Sequence, residues 1–112
     1  MVDFSRMILA LGNDEQLCCQ ILKQYLGEVD EVYQQLKLAI ETQKSEAIHQ
    51  QLHKYRGMVL NLHNSEFVTH LNNLSQQARA SVASASGFLD TLEKQHEQSK
   101  KEILQFLKDK KQ

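Results

Sequence analysis

Apolar residues return at intervals of three and four along almost the whole chain, and no proline interrupts them. That pattern commits a chain to amphipathic helices, because 3.6 residues complete a turn and residues three or four apart share a face. The repeat is clearest in Ile48, Leu52, Tyr55, Val59 and Leu62, spaced 4, 3, 4 and 3. A second stripe, Cys18, Leu22, Tyr25, Val29, Leu36 and Ile40, has Val32 or Tyr33 in its middle and implies a helix of roughly seven turns. Leu, Gln, Lys, Glu and Ala are frequent and form helices at little entropic cost. Sheets would need more β-branched residues and more Gly and Pro punctuation.

Local signals divide the chain into five helices. Asp3 caps a short first helix carrying Phe4, Met7, Ile8 and Leu11, and Gly12 stops it. Asn13 is expected to cap the second helix, with Asp14 and Glu15 in its first turn and Gln16 at the capping-box position; it runs to about Gln43. Gly27 lies inside it, where another helix can pass close. Ser45 is the next expected cap, and the third helix covers about Glu46 to Leu62. His63-Asn64-Ser65 breaks it; Asn64 tolerates a left-handed turn, and Asn64 or Ser65 can cap the fourth helix, which carries Phe67, Leu71, Leu74 and Ala78. The small residues of 81–87 leave the next break open. The last helix begins near Phe88 and uses Phe88, Leu92, Ile103 and Leu107, with His96 and Ser99 or Lys100 between. The expected fold is all-α: one domain over 1–112, an antiparallel four-helix bundle with a short additional N-terminal helix.

Composition excludes several classes. The chain has 112 residues, 13 basic and 14 acidic, so no strong field is available to hold nucleic acid. Lys100, Lys101, Lys108, Lys110 and Lys111 read as a solvated last helix end that complements its dipole. Cys18 and Cys19 are adjacent and point about 100° apart on a helix, so they are read as reduced, one buried and one near the surface. No apolar run spans a bilayer and no signal peptide is recognisable, which gives no membrane partner and a cytoplasmic location as expectations. Met1 and the lack of a linker read as a free protein, expected to be a monomer.

Of the five histidines, His53 carries the information. It follows the core position Leu52, so it turns about 100° toward water. His49, Arg56, Gly57 and Leu60 share its face. Imidazole, with an ordinary pKa near 6.5, offers a neutral nucleophilic nitrogen near neutral pH. Arg56 can pair with phosphate oxygens, Gly57 clears space for a bulky partner and Leu60 offers a small apolar contact. His49 and His53 also have the i,i+4 spacing of a zinc pair, but no suitable third ligand is evident and no metal is expected. His63 reads as a helix-end residue, and His70 and His96 as boundary or surface residues. Tyr25, Tyr33 and Tyr55 read as core residues with hydroxyls at the edge, and Gln34-Gln35 and Gln50-Gln51 as solvated.

His53-Lys54-Tyr55-Arg56-Gly57 resembles the motif of the histidine-phosphotransfer (HPt) family, in which His is followed by Lys or Arg at +3 and Gly at +4. Asn61-Leu62 is similar to the Asn-Leu that often precedes the family's turn, and the likeness extends from about Leu11 to Arg79. The chain departs from the family at Leu52, usually Ala; at Arg56, more often Lys; at Met58, usually small; and at His63-Asn64, usually Gly-Ala. The resemblance implies a phosphorelay carrier that is not an enzyme by itself. His53 would accept a phosphoryl group from the receiver aspartate of a hybrid sensor histidine kinase and pass it to a response regulator's aspartate. Arg56 would support the phosphate and Gly57 would give access. His49, Gln50, Lys54, Leu60 and Asn61 would meet the partner. No cofactor is expected on this chain, since Mg²⁺ and most of the electrostatic stabilisation belong to the receiver. The alternative is a bundle that docks on a receiver domain and modulates it without being phosphorylated.

Overall fold

The computed structural model describes residues 1–110; Lys111, one of the C-terminal lysines, lies outside them. It is an all-α bundle of five helices: α1 (Phe4–Ala10), α2 (Glu15–Glu41), α3 (Ser45–Leu60), α4 (Ser65–Ala80) and α5 (Leu89–Lys110). The small-residue tract is a 3₁₀ helix, Val82–Phe88, that leads into α5. At 1.5 Å per residue α2 is about 40 Å long, which nearly sets the 46 Å length of the molecule. No helix among the described residues is long and apolar enough to cross a membrane.

Successive long helices run antiparallel. Arg56 of α3 meets Asn72 of α4, Glu66 of α4 meets Gln95 of α5, and Glu15 and Asp30 of α2 meet Lys110 and Lys100 of α5. The four apolar stripes fill the space between them, and Leu22, Val29, Leu36, Ile48, Tyr55, Val59, Leu62, Phe67, Leu71, Leu74, Leu92 and Ile103 are fully buried. Tyr33, not Val32, occupies the middle of the α2 stripe in the core. Cys18 is buried and Cys19 half-buried, both free thiols.

The helix ends differ in detail from the sequence expectations. Asp14, not Asn13, caps α2 by accepting the Leu17 N–H at 2.9 Å; Asn13 instead takes a left-handed φ of 65° beside Gly12. α2 stops at Glu41 because Gln43 turns left-handed, and Ser45 is the first helical residue of α3 rather than its cap. After α3 it is His63, not Asn64, that is left-handed, with φ 50°. Asn64 is the cap of α4 and accepts the Phe67 N–H at 3.2 Å. Gly27 marks no close helix contact, since a Cβ there would meet nothing within 4 Å.

α1 crosses the end where α2 and α5 outrun α3 and α4. The Asp3 N–H donates to the Leu62 carbonyl at 3.0 Å, and Phe4 stacks on Phe106 with ring centroids 4.2 Å apart. The Val2 N–H donates to Glu102 Oε1 at 3.0 Å. The α3–α4 turn is thereby tied down at one end, while His53 sits farther along α3 on an open face.

Candidate functional site

His53 lies between buried Leu52 and buried Tyr55 on α3, and its own side chain is exposed. His49 and Arg56, one turn to either side, are half-buried. Opposite them, α4 presents Asn72, Ser75, Gln76 and Arg79, a stripe with i, i+3, i+4, i+7 spacing beside its core positions Leu71, Leu74 and Ala78. Arg56 Nε donates to Asn72 Oδ1 at 2.8 Å and marks the register between the two helices. Antiparallel helices of equal rise carry that register along. His53 therefore stands level with Ser75, and His49 with Arg79. Between the helices lies an open groove of about 660 Å³, lined by these four α4 residues and by His49, Leu52, His53 and Arg56. None of the eight is acidic. Neither arginine is among the cations that the described residues pair with carboxylates, which are Lys94, Lys100 and Lys110.

The sequence-predicted site residues are only partly brought together. Gly57 is exposed beside the groove, and a Cβ on it would meet nothing within 4 Å. Leu60 is 44% exposed on the same face. Lys54 is turned to the other side of α3, with Glu28, Glu31, Val32 and Met58. Asn61 lies beside Ile21, Tyr25 and Glu28 of α2, and Gln50 near Lys44 and Glu46 at the start of α3. Sequence reasoning missed the α4 side, Asn72, Ser75, Gln76 and Arg79; its signal was the helical spacing of four polar residues. His49 and His53 remain an i,i+4 pair, and among the described residues no three His, Cys, Asp or Glu side chains gather as a metal set.

A second histidine has a different setting. His96 is not at the surface; it is 1% exposed in the core of α5. Its Nδ1 is 2.6 Å from the Tyr55 hydroxyl, and its Nε2 is 2.8 Å from Asp30 Oδ1. Lys100 Nζ donates to the other Asp30 oxygen at 3.0 Å, and Tyr33 stacks on the ring at 4.0 Å. A neutral imidazole satisfies this arrangement: Nε2–H donates to the carboxylate, and Nδ1 accepts from the Tyr55 O–H. Burial holds the His96 pKa below its ordinary value, partly offset by the Asp30 hydrogen bond. The Lys100 hydrogen bond leads in holding the Asp30 carboxyl below its usual range. Tyr55 thus keeps its hydroxyl inside the bundle and not at the edge, with its pKa pushed well up by burial. Tyr25 is pushed the same way by burial, and its hydroxyl has no hydrogen-bond partner among the described residues.

Comparison with known proteins gives no match for this chain among protein-family models, curated proteins or solved structures.

Proposed function

We propose that this protein is a histidine phosphotransfer carrier, with His53 as the phosphoryl acceptor. The observation that carries the reading is an exposed imidazole in an open groove that holds two arginines and no carboxylate. The likeness of His53-Lys54-Tyr55-Arg56-Gly57 to the HPt motif supports it independently.

The unprotonated ring nitrogen of His53 attacks the phosphorus of a receiver's aspartyl phosphate. A P–N bond forms, the P–O bond breaks, and the aspartate leaves as a carboxylate; the return step onto a second receiver reverses these bonds. Arg56 and Arg79 line the groove that holds His53 and can take phosphoryl oxygens from opposite ends. An acid-free lining matters because a nearby carboxylate would repel the incoming dianion and compete for the guanidinium groups. Gly57 leaves the surface beside His53 low enough for another protein's active site. The receiver supplies Mg²⁺ and most of the stabilisation of the transferring group.

Phosphorus NMR after treatment with phosphoramidate tests this. An acid-labile, base-stable phosphohistidine signal is expected in the wild type and not in His53→Gln. A signal that survives in the variant moves the acceptor, with His49 first. With no signal in either, transfer from a phosphorylated receiver domain decides; if that also leaves the protein unlabelled, the chain is a docking module instead.

A further inference from the structure

We infer that Asn72 is a positioning residue for the phosphoryl group: it tethers Arg56 by the one donor that phosphate does not need, and does so without charge. The inference rests on the reading of His53 as acceptor. A guanidinium has five N–H donors, one on Nε and four on the two terminal nitrogens. Asn72 Oδ1 takes the Nε–H at 2.8 Å. The end of the fork, with its pair of terminal nitrogens, stays available for bidentate contact with a phosphoryl group. Free arginine side chains sample many rotamers, and ordering one at the moment of reaction costs entropy. The tether meets that cost in the folded state. It also selects which edge of the guanidinium faces the groove.

The chemistry of the tether matters as much as its position. A carboxylate at position 72 would hold Arg56 at least as firmly. It would also cancel the charge that the phosphoryl group needs, and it would place an anion in a groove that otherwise contains none. An amide orients the cation and leaves its charge intact. Asn72 and Arg56 come from different helices, so the tether also reports the α3–α4 register that sets Ser75 level with His53.

The test is the rate of phosphohistidine formation from phosphoramidate in wild type, Asn72→Ala, Asn72→Asp, Arg56→Gln and the double variant Arg56→Gln/Asn72→Ala. Asn72 is exposed, so folding is expected to survive each change, with circular dichroism as the check. Asn72→Ala should slow phosphorylation roughly 3- to 10-fold, the size of a coupling between groups in direct contact. Asn72→Asp should slow it further, by about tenfold or more, although the hydrogen bond is kept. In the Arg56→Gln background the alanine substitution should have no additional effect. An Asn72→Ala rate equal to wild type overturns the inference, and so does an equal loss in the Arg56→Gln background. An Asn72→Asp rate equal to wild type overturns the requirement for neutrality. A folded wild type that takes no phosphoryl group from phosphoramidate or from a phosphorylated receiver domain overturns the His53 reading itself, and this inference with it.

Discussion

His53 and His96 face opposite problems in one small bundle. His96 has everything that conventionally activates an imidazole: a carboxylate on one nitrogen, a tyrosine hydroxyl on the other and an aromatic ring against its face. It is also sealed in, and both ring nitrogens are already engaged. A nucleophile needs a free lone pair and a path to its electrophile, so the better-furnished histidine is the poorer acceptor. His53 has cations nearby, no acidic neighbour in its groove and open water beside Gly57. The contrast puts the hydrogen-bond partners on the structural histidine and leaves the proposed acceptor without them, in a groove that holds two arginines.

Substitutions can break or sharpen that contrast. The largest effect is expected at His53. His53→Gln should abolish phosphoryl incorporation while stability to urea stays within about 0.5 kcal/mol, as for other exposed changes. His96→Ala should do the reverse. It removes a packed ring and orphans the Tyr55 hydroxyl, and should cost about 2–4 kcal/mol in urea denaturation, with phosphorylation retained wherever the protein is folded. If instead His96→Ala abolishes phosphorylation of a folded protein, the two histidines do not have separate roles.

Acid separates them more gently. The folded state depresses the His96 pKa, so the folded protein binds this proton less readily than the unfolded chain. The His96 contribution to stability is therefore complete above about pH 6.5 and is lost as the pH falls from there through the folded value. Urea midpoints should drop between about pH 7 and pH 5, and His96→Gln should flatten that part of the profile. The smallest effect concerns the glycines. Gly27→Ala and Gly57→Ala should each stabilise their helices by up to about 1 kcal/mol, because both positions are open. Only Gly57→Ala should also slow transfer from a phosphorylated receiver domain; equal transfer rates in the two variants would mean that docking does not cross Gly57.

The apolar stripes were legible because their period is local: every residue named in the α3 and α4 stripes is buried. His96 shows where polarity misleads. It lies in step with Leu92, Ser99 and Ile103, all buried, but its residue type suggested the surface. What allows it inside are partners 66 and 41 residues away, Asp30 and Tyr55, which no local pattern can supply. The groove was half legible for the same reason. The α3 half shares one helix face and could be read directly. The α4 half, with Asn72 and Arg79, becomes part of a site only through the register between two helices. Helix ends shifted by a residue or two where Gln43 and His63 accept left-handed backbone, a tolerance that residue preferences express weakly.

That register has a further consequence, traceable to the turn after α3. Asn61 closes the helix, His63 reverses the chain at φ 50°, and Asn64 starts α4. The turn therefore acts as a gauge block for the groove. If one residue were added to it with α4 held at the same depth, the helix would have to rotate by about 100° to keep its bonding pattern. The polar stripe would swing away from His53, and the core stripe would leave its seat with it. The surroundings of His53 are thus specified by the length of a four-residue connection as firmly as by the side chains themselves.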